Sequence, residues 1–142
     1  MPITVSNRQR KVPVDLPSLR EFAEEALIEC LKLQKRRLGS LADLPEVGVV
    51  LVSDKRIAQV HRQFMNDPTP TDVITFDHGE ILISAQTAKR QARQFSTSLG
   101  HELRLYLVHG LLHLSGFDDK TGKGAAEMKR IQEKVVATAI QR

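Results

Sequence analysis

The sequence predicts an α+β fold: a small mixed sheet of about four short strands packed by about five helices, with a metal site on a central buried helix. Three observations lead there. Short β-branched runs are interspersed with longer stretches whose apolar residues recur at three- and four-residue steps. One such stretch, Leu99 to Leu114, is apolar around most of its circumference, as a helix enclosed by other elements must be. That stretch carries His109 and His113 near its end and is followed by Gly116, Asp118 and Asp119.

In chain order, Ile3-Thr4-Val5 forms a first strand, and the basic run Arg8 to Lys11 turns the chain. Pro17 suits a first helical turn and opens a helix expected to reach Leu38. Leu19, Phe22, Ala23, Ala26, Leu27, Cys30 and Leu31 form its stripe, and Gly39 follows its end. Val47 to Val52 is a compact β-branched run, hence a buried strand. Ser53 or Asp54 caps the next helix, which turns Ile57, Val60, His61 and Phe64 inward and Lys55, Arg56 and Arg62 outward.

Asn66 to Pro70 breaks that helix. Val73 to Phe76 and Glu80 to Ser84 are short strands of a hairpin closed at Asp77-His78-Gly79. A helix from Ala85 to Phe95 sets Ala85, Ala88, Ala92 and Phe95 on one side, with Lys89, Arg90 and Arg93 on the other. Ser98 caps the helix from Leu99 to Leu114. Lys120 to Gly124 is a loop, and Ala125 to Ile140 a last helix with Met128, Ile131, Val135 and Ala139 as its stripe.

At 142 residues, without an internal repeat or a linker, the expectation is one domain, 1–142. The lone Cys30 cannot form an internal bridge and reads as a small buried hydrophobe. The N-terminal stretch has no apolar run of the kind a secretory signal needs, and no segment is apolar enough to span a bilayer, so a cytoplasmic protein is expected. A formal charge of +4 permits a polyanionic partner without requiring one.

The chemistry concentrates between His109 and Asp119. Histidines at i and i+4 project from one helix face, one turn apart, so both reach a single cation. Gly116 can take the positive φ that ends a helix and sends the chain back. Asp119 then returns an oxygen ligand, although Asp118 beside it could ligate instead, or orient a ligand histidine from behind. Two imidazoles and a carboxylate are a ligand set used by catalytic zinc. The frame H-x-x-x-H-x-x-G-x-x-D parallels that of the metzincin peptidases, but Gly110 stands where those enzymes keep a catalytic Glu. His61, His78 and His101 lack ligand spacing.

The chain resembles the YbeY family of bacterial endoribonucleases and rRNA maturation factors. The family pattern H-G-x-L-H-L-x-G-x-D-H stands here as His109-Gly110-Leu111-Leu112-His113-Leu114-Ser115-Gly116-Phe117-Asp118-Asp119, departing only in its last residue. A second signature, P-T-D-V-L-S-F, stands as Pro70-Thr71-Asp72-Val73-Ile74-Thr75-Phe76. The resemblance implies His109 and His113 as zinc ligands with Asp119 in the third position, and Thr71 and Asp72 lining the cleft. It implies an Arg after the aromatic that precedes the cleft loop; here Met65 follows Phe64, and Arg62 is the nearby substitute.

By that resemblance the function is single-strand-specific endoribonuclease action in 16S rRNA 3′ end maturation and ribosome quality control, with a metal-activated water hydrolysing the phosphodiester. One Zn2+ per chain, or another divalent metal, is the expected cofactor. Single-stranded or ribosomal RNA and the small ribosomal subunit or its assembly proteins are the expected partners. Lys55, Arg56, Lys89, Arg90 and Arg93 are candidate phosphate contacts. No general base stands out; Glu102 and Asp118 are the candidates. With five Phe, one Tyr and no Trp, base stacking is expected to contribute little. Two rival readings are an RNA-binding assembly factor with weak or no turnover and a zinc peptidase, the latter disfavoured by Gly110.

Overall fold

A computed structural model describes residues 2–33, 41–66 and 71–140. Four strands form one mixed sheet in the order β1-β2-β4-β3, with β1 (Ile3–Asn7), β2 (Val47–Val52), β3 (Val73–Thr75) and β4 (Glu80–Ser84). β1 and β4 both run parallel to β2, and β3 pairs antiparallel with β4 as the outer strand of the hairpin. Gly79 closes that hairpin at φ +109, where any Cβ would also strike the Glu46 carbonyl oxygen at 2.6 Å. Among the described residues the α-helices are α1 (Leu16–Lys32), α2 (Asp54–Met65), α3 (Ala85–Gln94), α4 (Leu99–Leu114) and α5 (Gly122–Ile140), with a short 3-10 turn at Leu41–Asp43. The α+β class and the central, buried helix are therefore as the sequence predicts.

Strand period divides the core in two. Val47, Val49 and Leu51 of β2 and Ile81 and Ile83 of β4 face α1, α4 and α5 and are fully enclosed. The alternate residues Val52 and Leu82 join Ile57 and Val60 of α2 in a smaller cluster on the opposite face. α4 approaches the sheet closely at Gly110, where an added Cβ would lie 2.8 Å from both Cδ1 and Cγ2 of Ile81. The slot where a zinc peptidase keeps its Glu is thus a packing position against β4, with no room for a side chain.

Caps follow the sequence signals. Ser53, Ser84 and Ser98 accept hydrogen bonds from Arg56, Thr87 and His101 amides at the starts of α2, α3 and α4. Asp54, the alternative cap, instead ties α2 to α3: Ser84 Oγ donates to it at 2.6 Å, Thr87 Oγ1 at 2.8 Å and Arg90 Nη1 at 2.5 Å. Arg90 is therefore committed to a structural clamp, which removes it from the candidate phosphate contacts. Cys30 is fully buried at the α1 interface, and burial followed by the charge of Glu29 pushes its thiol up to about 12.

Several boundaries and faces differ from expectation. α1 closes at Lys32 with Leu33 as its C-cap; Leu38 and Gly39 lie outside the described residues. α5 starts at Gly122 because Thr121 Oγ1 accepts from the Gly124 amide, which absorbs most of the expected loop into the first turn. Phe64 and Phe95, expected inward, are each 61% exposed. Both sit at the last turn of their helix or just past it, beyond the layer they would pack against. Asn66 caps α2 at φ 54, while 67–70, which hold the prolines of the expected break, lie outside the described residues.

Candidate metal centre

α4 ends in a Schellman turn. The Gly116 amide donates to the His113 carbonyl at 3.1 Å and the Phe117 amide to the Leu112 carbonyl at 3.0 Å, with Gly116 at φ +98. Phe117 is buried in the core cluster that also holds Leu112, the apolar contact that accompanies this cap. The reversal brings the following residues back over the face of α4 that carries the histidines. There His109, His113 and Asp119 each offer one ligand atom, all within 4.8 Å of one another.

The geometry suits one ion. His109 Nε2 and His113 Nε2 face each other at 3.1 Å. Two nitrogens each about 2.0–2.1 Å from one tetrahedral zinc stand roughly 3.3 Å apart, so the pair is already near ligand spacing. Asp119 Oδ2 is 3.8 Å from His109 Nε2, and its Oδ1 is 4.0 Å from His113 Nε2. The carboxylate hence stands slightly back, on a side chain about half exposed, while the rings are mostly enclosed.

Protonation agrees with the ligand role. Gln132 Oε1 on α5 lies 2.9 Å from His109 Nδ1; as an acceptor it holds the proton there and leaves the Nε2 lone pair free. Burial, then the neighbouring His109, lowers the His113 pKa, outweighing the opposing pull of Asp119, the Phe117 backbone and Asp118. The imidazole therefore stays neutral, the form that ligates, to lower pH than a free one. Gln132 was missed in the sequence; its signal is a polar residue set into the apolar stripe between Met128 and Val135.

A cavity of about 470 Å³ opens over the two histidines. His109, His113, Asp118, Lys120, Thr75 and Met65 are in its wall. The Thr75 hydroxyl is buried there with no hydrogen-bond partner among the described residues. Of the two candidate bases, Asp118 lines this cavity and accepts from the Lys120 amide at 3.1 Å. Glu102 does not. It is buried, accepts from Thr97 Oγ1 at 2.8 Å, and faces a separate cavity on the far side of His109.

The resemblance-based cleft residues are also placed elsewhere. Asp72 caps the start of β3, accepting from the Val73 amide at 2.8 Å and lying within 3.4 Å of the Thr71 hydroxyl, and it lines the far cavity with Glu102. Thr71 lines neither cavity, and Arg62 is exposed on α2 without reaching either. Sequence reasoning instead overlooked Lys120 and Thr75. Lys120 lies in the loop the sequence predicts, with no local signal that it faces the histidines, and Thr75 reads as one more strand residue.

The family model described as Endoribonuclease YbeY matches residues 4–139. Among curated relatives, Endoribonuclease YbeY of Geobacter metallireducens is 32% identical over 149 residues, covering 94% of this chain and 91% of its own. That of Pelotomaculum thermopropionicum is 34% identical over 151 residues, covering 96% and 95%. The solution structure of TM1509 from Thermotoga maritima superposes with a TM-score of 0.65 at 29% identity, covering 96% of this chain and 88% of that one.

Proposed function

The chain belongs to the Endoribonuclease YbeY family, and from that premise we propose that residues 1–142 act as one metal-dependent endoribonuclease domain that cuts single-stranded RNA in the cavity beside α4. The observation that carries this is the convergence of His109, His113 and Asp119, with both histidines in the wall of a cavity of about 470 Å³. Zinc is the proposed ion, since two imidazoles and a carboxylate suit it. When bound, the ion would supply Lewis-acid polarisation of a phosphoryl oxygen and water activation.

The remaining steps fall to the chain. Lys120, the cation among the described residues of the cavity wall, draws the phosphate in. Asp118, in the cavity wall beside the histidines, is the proposed acceptor of a proton from the attacking water. Gln132 keeps the His109 ring in its ligating tautomer. The proposed biological substrate is ribosomal RNA, with the 3′ end of 16S rRNA as processing site, the small ribosomal subunit or its assembly proteins as partners, and the cytoplasm as location. No helix among the described residues is long and apolar enough to cross a membrane.

Incubation of end-labelled single-stranded RNA with the native chain, with His113→Ala, and with the chelated native chain tests this reading. Cleavage by the native chain alone is expected. A second reading, RNA binding without turnover, draws on Met65, an apolar side chain in the cavity wall at the place of the family's arginine. It predicts that all three preparations bind RNA and none cuts it.

A further inference from the structure

The sheet face turned away from the metal centre holds a second, larger concavity of about 790 Å³. The residues of β3, Val73 to Thr75, and Asp77 line the metal cavity, whereas Phe76 and His78, just past β3, line the groove. The end of α2 divides likewise, with Phe64 in the groove and Met65 in the metal cavity. β3 is an edge strand, and both concavities lie along that edge of the sheet.

Three rings gather in this groove. Phe64 packs edge-on against Phe76 at 5.3 Å between centroids, and Phe76 stacks on His78 at 5.5 Å with planes 18° apart. Phe64 nevertheless stays exposed, above a floor of Val50, Val52 and Leu82. Arg8 and Arg56 stand in the wall, both exposed and neither with an ion pair among the described residues, against the single carboxylate of Glu80.

We propose that this groove is a stacking platform for single-stranded RNA, seating the bases that flank the phosphodiester held in the metal cavity. The inference rests on the endoribonuclease reading and adds to it where the strand lies. Exposed rings offer π faces to any base, and arginines neutralise phosphates and can stack as well. An apolar peptide in the same groove would leave Arg8 and Arg56 without counter-charge; an RNA backbone supplies it. Neighbouring residues line the two concavities at both the end of α2 and the turn after β3, so a strand passing around that edge reaches groove and metal cavity together. The small aromatic content of the chain conceals this, because a total cannot show that three rings meet in one place.

The test measures binding of a single-stranded RNA of about 12 nucleotides, longer than the smallest stacking sites, carrying 2-aminopurine, in a His113→Ala background that silences cleavage. Phe64→Ala is expected to weaken binding about tenfold and to abolish the fluorescence quenching that marks stacking. Arg56→Ala is expected to weaken binding and to reduce the salt slope by about one. In the cleaving chain, Phe64→Ala raises KM and leaves kcat nearly unchanged. Unaltered affinity and quenching in Phe64→Ala, with a native chain that still cuts RNA, would overturn the platform alone. A native chain that neither binds nor cuts RNA would overturn the platform and the endoribonuclease reading together.

Discussion

The two faces of the sheet differ in how they are closed. On one, α1, α4 and α5 exclude solvent from Val47, Val49, Leu51, Ile81 and Ile83, and α4 comes so near that only glycine fits at 110. On the other, α2 contributes Ile57 and Val60 to a small cluster, is fastened to α3 through the polar clamp at Asp54, and leaves Phe64 in solvent. Tight closure fixes the histidine pair within tenths of an ångström of ligand spacing. Loose closure leaves an apolar groove free to receive something. Precision and recognition thus sit on opposite faces of the same strands.

Substitutions on the closed face are expected to have the larger effects. His113→Ala removes a ligand and should lower divalent metal content to background and RNA cleavage by at least about 100-fold, read by elemental analysis and by gel. Gln132→Ala frees the His109 ring and should weaken metal affinity about 10- to 100-fold while leaving the fold intact by circular dichroism. Gly110→Ala forces α4 away from Ile81 and should cost about 1–3 kcal/mol in denaturant unfolding. A Gly110→Ala chain as stable as the native one would show that α4 is not pressed against the sheet.

On the open face the effects should be smaller. Burial would raise the Asp54 pKa, but hydrogen bonds from Arg90, Ser84 and Thr87, with the Arg90 charge, outweigh it and hold the carboxyl below its ordinary value. Its contribution to stability is therefore complete above the unfolded-state pKa and disappears as pH falls through the folded-state value. Asp54→Asn should be less stable than the native chain near neutrality, and the gap should close in acid. A gap that persists unchanged at acid pH would mean that the clamp does not act through charge. Phe64→Ala should lower unfolding free energy by no more than about 1.5 kcal/mol, since its ring is 61% exposed and keeps an edge-on contact with Phe76.

Legibility in the sequence followed the same division. The period of Leu99 to Leu114, the serine caps, Gly116 and the Asp77-His78-Gly79 turn are local signals, and each element lies where its residues place it. The histidine pair with Asp119 was legible because helix period and one glycine turn suffice to bring them together. Phe64 and Phe95 misled because periodicity assigns a face without saying where the neighbouring layer stops. Gln132, Lys120 and Thr75 depend on which element packs beside α4, and no spacing within one segment encodes that. Arg62 failed for a related reason: one step along α2 decides between open solvent, the groove and the metal cavity.

The central claim is that His109, His113 and Asp119 hold one divalent ion. It is tested most directly by the metal content of gently purified protein, native and with His109→Ala, His113→Ala or Asp119→Ala. The expected result is about one zinc per native chain, near none in either histidine variant, and a marked loss in the Asp119 variant. Native protein that retains no metal and takes none up from micromolar zinc, or histidine variants that keep a full complement, would contradict it.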